Sequence, residues 1–486
     1  MTRFDPRLRA ATLSLVLVAA PSPARAEATS YPLASNGDAA VKDGYNLSRW
    51  AEDWTSKRDA EKRGDPLDRL KFLPLDGAWG GDGDVYVTLS GELRLRVNET
   101  TNPNLREADA QRQDITRVVA GADLHIGTHL RAYGELAHGG ISGRNLGAPA
   151  ATLRNDLVIQ QSFVEASAEV GGVDVGVRYG RQEFTDGPNL LVSQRDNNTI
   201  RYTLNGWRAW ARGSKLRVGV FDFRPTAYGD LGTDDDVNDP ARRFSGANVG
   251  FVLPKAFLGG SSLVLDAFAW RRRNLVGAWG GRIGPATRYY LGAQLRGDVG
   301  PVNLDWSVNR QWGHYINQDI DAWQAFIAQT YRLGQGKAAP RVGVHFDYAS
   351  GGGGYGDGKL RNAYSPFGNN IYFSYQLYLT PSNLVALTPN VSFAPFRNAR
   401  VTGEYELAWR DDVRDAVYRA NGQPFAGTQN GRARKIGNLT RVQLVWAITP
   451  RVSFTGRYEH LDAGPALTDA GYRSSDFLAG WLSFRF

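Results

Sequence analysis

The chain has 486 residues, a formal net charge of +8 and no cysteine. Without cysteine there is no disulfide framework, thiolate metal site or cysteine nucleophile. The balance of 57 basic to 49 acidic residues is too even to argue for nucleic acid as a partner.

The first residues read as an export signal. Arg3, Arg7 and Arg9 precede an apolar run from Ala10 to Ala20, and Ala24-Arg25-Ala26 supplies a small-x-small cleavage pattern. Residues 1–26 are therefore expected to be a signal peptide, cut before Glu27. The run is too short to span a bilayer as a retained helix. Its removal takes four Arg and one Asp, leaving 460 residues with a charge of +5. Residues 27–84 are polar and irregular, with one short helical candidate at 49–60. They read as an N-terminal periplasmic segment leading into a first strand.

From Val85 the pattern has period two. Val85, Val87, Leu89, Gly91, Leu93, Leu95 and Val97 share one face, and Glu92, Arg94 and Arg96 lie on the other. Thirteen residues of unbroken alternation exceed an average globular strand. They suit a tilted membrane strand, which needs about 9–11 residues in lipid. The design recurs at 130–136, 173–179, 207–212, 288–296, 302–309, 341–348, 401–410 and 452–459. The last strand ends on aromatic residues: Leu478, Gly480, Leu482, Phe484 and Phe486 fall on one face. Leu482, Phe484 and Phe486 are thus candidates for the signal read by a barrel-assembly machinery. A closed barrel must also pair this strand with its first.

Short and long connections take turns. Gly171-Gly172, Gly213-Ser214, Gly259-Gly260 and 298–301 read as tight turns. Segments 98–114, 138–155, 223–243, 272–285, 350–372 and 411–435 read as long outer loops. The fold class expected is all-β, a transmembrane antiparallel barrel of about 18 strands (16–18) over residues 85–486. A soluble sandwich would have shorter strands at regular spacing and would not need charged pairs opposite a uniformly apolar face. The negative mean hydropathy is no objection, because only alternate residues of a membrane strand meet lipid.

Motifs for chemistry are sparse. Gly351 to Gly356 formally matches G-x-G-x-x-G, but no βαβ context surrounds it, so it reads as a flexible loop. The acidic run Asp234, Asp235 and Asp236 has oxygen ligands dense enough for Ca²⁺, although the spacing fits no standard calcium loop and solvated loop charge is the ordinary explanation. No other cofactor or metal is expected. The six histidines are scattered, and no motif marks the Ser–His pair of a hydrolase.

The stronger signal is arginine, which outnumbers lysine 48 to 9. A GC-rich genome explains part of that excess. The rest invites a functional reading, since a guanidinium offers carboxylates a planar fork that cannot lose its charge. The expected channel-lining set is Arg94, Arg96, Arg131, Arg178, Arg181, Arg208, Arg288, Arg296, Arg341, Arg410, Arg441 and Arg457. Glu92, Glu135, Asp174, Asp305, Asp347 and Glu404 are the expected acidic partners in the lumen. Near-equal numbers favour cross-strand bracing for most of these; a local Arg excess at a constriction would favour anions.

These residues resemble the alginate-export family of outer-membrane barrels. The likeness runs through Arg49, Glu52-Asp53-Trp54, Asp65 to Lys71, Gly91 to Arg96, Arg178 to Glu183, Arg195, Arg201, Asp347 to Gly351, Trp409-Arg410, Asp415-Ala416, Tyr418 and Phe484-Arg485-Phe486. Ser90, Gly352, Leu439 and Arg441 depart from the pattern, Arg441 standing where relatives are often acidic. The resemblance implies an outer-membrane conduit of a Gram-negative bacterium, passing an anionic solute or acidic polysaccharide, with a periplasmic export partner as a further expectation. A general small-solute uptake porin and a barrel-borne hydrolase are the alternatives.

Overall fold

The computed structural model describes residues 31–32, 41–75, 84–356 and 358–486. The expected signal peptide lies outside the described residues. The barrel strands are β1 (Val85–Thr100), β2 (Gln111–Ile126), β3 (Leu130–Arg144), β4 (Asn155–Val170), β5 (Val173–Gln182) and β6 (Leu204–Arg212). They continue with β7 (Leu216–Ala227), β8 (Arg242–Val252), β9 (Ser262–Trp279), β10 (Arg282–Val299), β11 (Val302–Tyr315) and β12 (Gln318–Arg332). The last six are β13 (Arg341–Ala349), β14 (Leu384–Phe393), β15 (Ala399–Trp409), β16 (Lys435–Ala447), β17 (Val452–Ala463) and β18 (Ser475–Arg485). Each pairs antiparallel with its neighbours, and β18 closes onto β1 from Phe477↔Thr100 to Arg485↔Glu92. Phe486 and Gly91 exchange two backbone hydrogen bonds beyond that ladder. A Cβ at Gly91 would run into the Phe486 ring, so the seam needs glycine there.

An even strand count puts the start of β1 and Phe486 at one end, here termed the turn end. Its connections are short, such as 127–129, 171–172 and 300–301. The opposite, loop end carries the long segments 183–203, 350–383 and 410–434.

Burial is inverted relative to a water-soluble protein. Leu93, Leu95 and Val97 are exposed on β1, whereas Glu92, Arg94, Arg96 and Asn98 are buried. Exposed Leu136, Val164, Val177, Leu291, Val308, Leu478, Leu482 and Phe484 continue the apolar surface on other strands. Among the largest fully buried side chains are Arg117, Arg178, Arg201, Arg410 and Arg441. An apolar surface of this extent belongs in lipid, and strands can cross lipid only if every backbone group is paired, which closure ensures. Among the described residues no helix is long and apolar enough to cross a membrane. The apolar core sits inside the barrel at the loop end, where Leu191, Val192, Phe367, Phe373, Leu379, Tyr418 and Leu467 pack together.

Several expectations are corrected. Segment 272–285 is not a long loop. β9 and β10 are 18 residues each and meet at Gly280 and Gly281, whose φ of +56° and +75° makes a tight turn. A register shift between Asn274 and Gly277 breaks the alternation, which is why the segment reads as irregular. β3 likewise runs on to Arg144, past the expected loop start at His138. The glycine-rich 351–356 stretch is not a free loop: Gly351 N–H donates to Asp411 (3.0 Å) and Gly352 N–H to Asp415 (2.8 Å). The helical candidate at 49–60 is a series of 3-10 turns, Arg49–Ala51, Thr55–Arg58 and Ala60–Lys62.

Candidate channel interior

The 183–203 segment joins β5 to β6 but does not stand out from the barrel. Its apolar residues Leu191 and Val192 are buried, and Val192 bridges Phe367 of the 350–383 loop. Hydrophobic burial thus draws the loop inward. At its tip Arg195 has φ +53°, and the chain reverses so that adjacent side chains serve different walls. Asp196 faces β1 and β2. Its carboxylate accepts from Arg94 (2.8 Å), Arg117 (2.8 Å) and Arg201 (2.6 and 2.8 Å). Burial alone would raise the Asp196 carboxyl, but Arg117, Arg201 and Arg94 outweigh it and hold it well below the ordinary 3.8. Backbone carbonyls of the same loop take further donors, Asp196 from Arg94 (2.9 Å) and Asn197 from Arg96 (2.9 Å).

The lead-in segment meets this loop from the turn end. Arg49 pairs with Glu92 and with Glu135 (3.1 Å), and Ser48 donates to Glu183 (2.7 Å). Arg201 closes the contact, donating to the Leu47 carbonyl (2.7 Å) and to Glu183 (3.0 Å). Trp50 packs edge-on to Phe163, while the Arg178 guanidinium sits 3.9 Å from the Trp50 ring centroid. Asp65 and Asp68 pair with Arg451 in the turn before β17 (3.0 and 2.8 Å). Residues 41–75 therefore pack into the barrel's turn end rather than merely preceding it. Seven guanidiniums, of Arg49, Arg94, Arg96, Arg117, Arg201, Arg457 and Arg485, gather near five carboxylates, those of Glu92, Glu135, Glu183, Asp196 and Glu459.

Other expected residues occupy separate stations. Arg131 pairs with Asp123, and Arg178 with Glu165 (Nε to Oε2 2.7 Å). Arg208 lies beside the Trp210 ring (5.3 Å). Asp174 accepts from Trp210 (3.0 Å) and Arg212 (3.4 Å). Near the turn end Arg296 pairs with Asp266 (2.8 Å), and Asp305 accepts from Gln294 (2.6 Å). Arg341 stands half-buried at the start of β13. Asp347 contacts His345 (2.5 Å), and Arg457 pairs with Glu459 while lying over Tyr375 (4.4 Å). Arg288 donates to Gln311 (2.7 Å) and the Asn362 carbonyl (2.9 Å).

Three members of the set do not line an interior path. Arg181 shares the outward register of Val177 and Tyr179, and donates to Asn205 (3.0 Å) and the Ile159 and Asp236 carbonyls (2.8 and 2.9 Å). Arg410 is fully buried and donates to the carbonyls of Ala433, Asp415 and Thr428, stapling the 410–434 loop. Arg441 is clamped by Glu404 (2.8 Å), Glu406 (2.5 Å) and the Phe373 carbonyl (2.5 Å), a brace rather than a free charge. In the acidic run, Asp235 accepts the N–H groups of Asp230 and Leu231 (both 3.1 Å), and Asp236 those of Gly229 and Asn155. Asp234 lies in the same 3-10 turn. Among the described residues no cluster of three or more His, Asp or Glu is arranged to hold a metal. The six histidines contact carboxylates or backbone carbonyls, as His138 does with Asp156 (2.9 Å).

Sequence reasoning missed Asp196, Arg242 and Arg272. Asp196 lies in a loop whose Leu190-Leu191-Val192 run was the available signal, since outward loops have little reason to be apolar.

A closed antiparallel barrel of 18 strands with an apolar outside and a charged inside defines an outer-membrane channel of the porin type. Solved porins have the same architecture. OccD3 (OpdP) of Pseudomonas aeruginosa superposes with TM-score 0.55 at 13% identity, covering 82% of this chain and 91% of its own. P. aeruginosa OccK2 (OpdF), solved in complex with glucuronate, gives 0.51 at 12%, covering 82% and 98%. A BenF-like porin from Pseudomonas fluorescens Pf-5 gives 0.53 at 10%, covering 82% and 99%. No curated protein matches the chain by sequence. Residues 85–480 match the alginate export family, and the chain belongs to that family. The family indicates a channel rather than an enzyme.

Proposed function

We propose that this outer-membrane channel passes an anionic solute or acidic polysaccharide, in the outer membrane of a Gram-negative bacterium with its turn end periplasmic. The supporting observation is the arginine excess where the 183–203 loop crosses the interior, seven guanidiniums near five carboxylates. Burial raises the Glu183 carboxyl, which weakens its share of the compensation. A net positive field in a narrow, poorly screened space lowers the free energy of a carboxylate there. Binding to any one site must stay weak, so that a solute handed along the wall can leave. The barrel-assembly machinery would read Leu482, Phe484 and Phe486, which line up on the outer face of β18. A periplasmic export partner would dock at the turn end.

The test is the reversal potential of the reconstituted protein in a potassium chloride gradient. Anion preference that deepens at low salt supports the reading; a cation-preferring pore, or no pore, refutes it. One observation favours small acids, as an uptake porin would take, over a polymer. The 183–203 and 350–383 loops meet inside the barrel through the Val192–Phe367 bridge, which narrows the way for a chain.

A further inference from the structure

Arginine is not confined to the interior. Arg181 on β5, Arg224 on β7, Arg243 on β8, Arg271 and Arg273 on β9 and Arg310 on β11 share the outward register of their strands. Counted up from the turn end of its strand, Arg181 is the ninth residue (from Val173), Arg224 the ninth (from Leu216) and Arg243 the tenth (from Val252). Arg271 and Arg273 are the tenth and twelfth (from Ser262), and Arg310 the ninth (from Val302). A tilted membrane strand uses about 9–11 residues to cross the lipid. The six guanidiniums therefore emerge together at the headgroup level of the loop end. An aromatic girdle marks that level independently: Tyr179, Trp207 and Trp312 are exposed, and Tyr289 stacks on Trp312 (5.8 Å). An arginine on the lipid face is costly at the midplane and nearly free at this height.

The sector is one-sided. On β14 to β18 the outward positions at the same count hold Val385, Leu407, Trp409, Asn438, His460 and Asp476, and no arginine among the described residues. Within the sector the charges adjoin. Arg243 stands directly opposite Arg273, with Ser245 opposite Arg271. Like charges set opposite each other destabilise a ladder unless an anion lies between them. Asp222 pairs with Arg243, and Asp321 with Arg310 (3.6 Å). Arg271 and Arg273 are exposed and enter no ion pair among the described residues; Arg271 lies over the Tyr289 ring (5.8 Å). Arg272, between them, points inward, where with Arg195, Arg242 and Arg288 it lines a cavity of about 250 Å³. Two clefts of the outer wall adjoin the basic sector. One, of about 420 Å³, is lined by Arg181, Arg224, Arg243, Asp222 and Trp207. The other, of about 450 Å³, lies across β3, β4 and β5, against Ala132, Gly134, Val164 and Tyr179, and the two share Tyr179 and Gly180.

We propose that the outer wall from β5 to β11 is a binding site for a phosphorylated lipid of the outer leaflet. Its phosphates would lie against Arg243, Arg271 and Arg273, with Arg181 and Arg224 at the neighbouring cleft. Arginine suits this role, because its fork donates two hydrogen bonds to one phosphate and never loses its charge. The height of the sector selects a lipid headgroup over a free anion: the guanidiniums stand where the apolar band ends. The small residues at 132 and 134 leave room for an acyl chain alongside exposed Val164. A bound lipid would supply the anion that the Arg243–Arg273 pair lacks and so fix one side of the barrel in the leaflet. This inference rests on the proposed orientation, turn end periplasmic, and not on the ion selectivity of the pore.

The experiment titrates the purified full-length protein in detergent at low salt and counts bound lipid by native mass spectrometry. The probes are lipid A, lipid A stripped of its phosphates, and inorganic phosphate as competitor. Lipid A is expected to bind, the stripped form at least about tenfold more weakly, and equimolar phosphate should not displace it. The double variant Arg271→Gln, Arg273→Gln should weaken lipid A binding about tenfold or more. Both side chains are exposed, so this variant should fold. Arg112→Gln, on an outward arginine of β2 already paired with Asp114 (3.3 Å), should leave binding unchanged. Equal binding of the stripped lipid, displacement by phosphate, no effect of the double variant, or an equal loss in Arg112→Gln would each overturn the proposal. Orientation is read separately by labelling Ala148→Cys, exposed at the loop end, with an impermeant maleimide on intact cells. Labelling without phosphate-dependent lipid binding sinks this site and leaves the orientation standing. Binding without labelling refutes the orientation, and the outer-leaflet assignment with it. A cation-preferring pore that binds lipid A refutes the anion reading and leaves this site intact.

Discussion

Asp196 ties the tip of the inward 183–203 loop to the barrel wall. Its carboxylate accepts from three arginines at 2.6–2.8 Å, two of them on the barrel wall. Asp196→Ala removes one partner from a buried charge cluster, a change that costs about 3–5 kcal/mol where nothing replaces it. The low end applies, because the Asp196 side chain is 23% exposed and Arg94, Arg96 and Arg117 keep loop carbonyls as acceptors. A loss of about 3 kcal/mol shifts the docked-to-undocked ratio of the loop about a hundredfold. The loop should then visit undocked positions often enough to be seen. In planar bilayers, Asp196→Ala should show frequent steps to a larger conductance and stronger anion preference, since one negative charge is gone. Asp196→Asn should fall between it and wild type. If Asp196→Ala conducts with wild-type step size, noise and selectivity, the carboxylate does not hold the loop and the reasoning fails.

The same carboxylate gives a pH dependence of definite sign. Its folded pKa lies below the unfolded 3.8, so its contribution is complete above about 4 and is lost as pH falls through the folded value. In a Glu183→Gln background, which removes the raised carboxyl of the same loop, gating noise should be equal at pH 7 and pH 5 and rise only in stronger acid; a rise between 7 and 5 would contradict this. Leu95→Arg places a charge on the exposed apolar face of β1 and should destabilise the folded barrel by about 2–4 kcal/mol, read by urea unfolding in lipid vesicles. Arg441→Met strands Glu404 and Glu406 and should lose about 3–5 kcal/mol, most of it recovered when both acids also become Gln. Loss of ion selectivity in that stable triple variant would show instead that Arg441 serves conduction. Deleting Phe486 removes the residue that closes the seam onto Gly91 and should lower the amount of barrel in the outer membrane without blocking export, measured by membrane fractionation.

The barrel was legible in the sequence because a membrane strand has a strict period of two and lipid tolerates no charge on its face. Leu93, Leu95 and Val97 against Glu92, Arg94 and Arg96 determine which way β1 faces, and the same pattern repeated gives the strand number. It failed where register shifts break the period, at Asn274 to Gly277 and between β3 and β4 at Glu135 to Gly139, where the end of β3 was read as loop. The inventory of buried arginines was equally visible, since alternation assigns a side chain to a face. What alternation cannot assign is its partner. Arg441, Arg410 and Arg94 read alike as inward or end-of-strand arginines. The fold makes the first a brace for two glutamates, the second a loop staple and the third an anchor for Asp196. Those differences depend on loops that fold inward and on a lead-in segment that returns to Glu92, contacts between residues 43 to 102 positions apart. No local pattern encodes such distances, because they are fixed by which apolar loop residues find burial inside the closed wall. The cavity around Arg272 and Arg288 arises in the same way, from three loops and four strands that meet only once the barrel has closed.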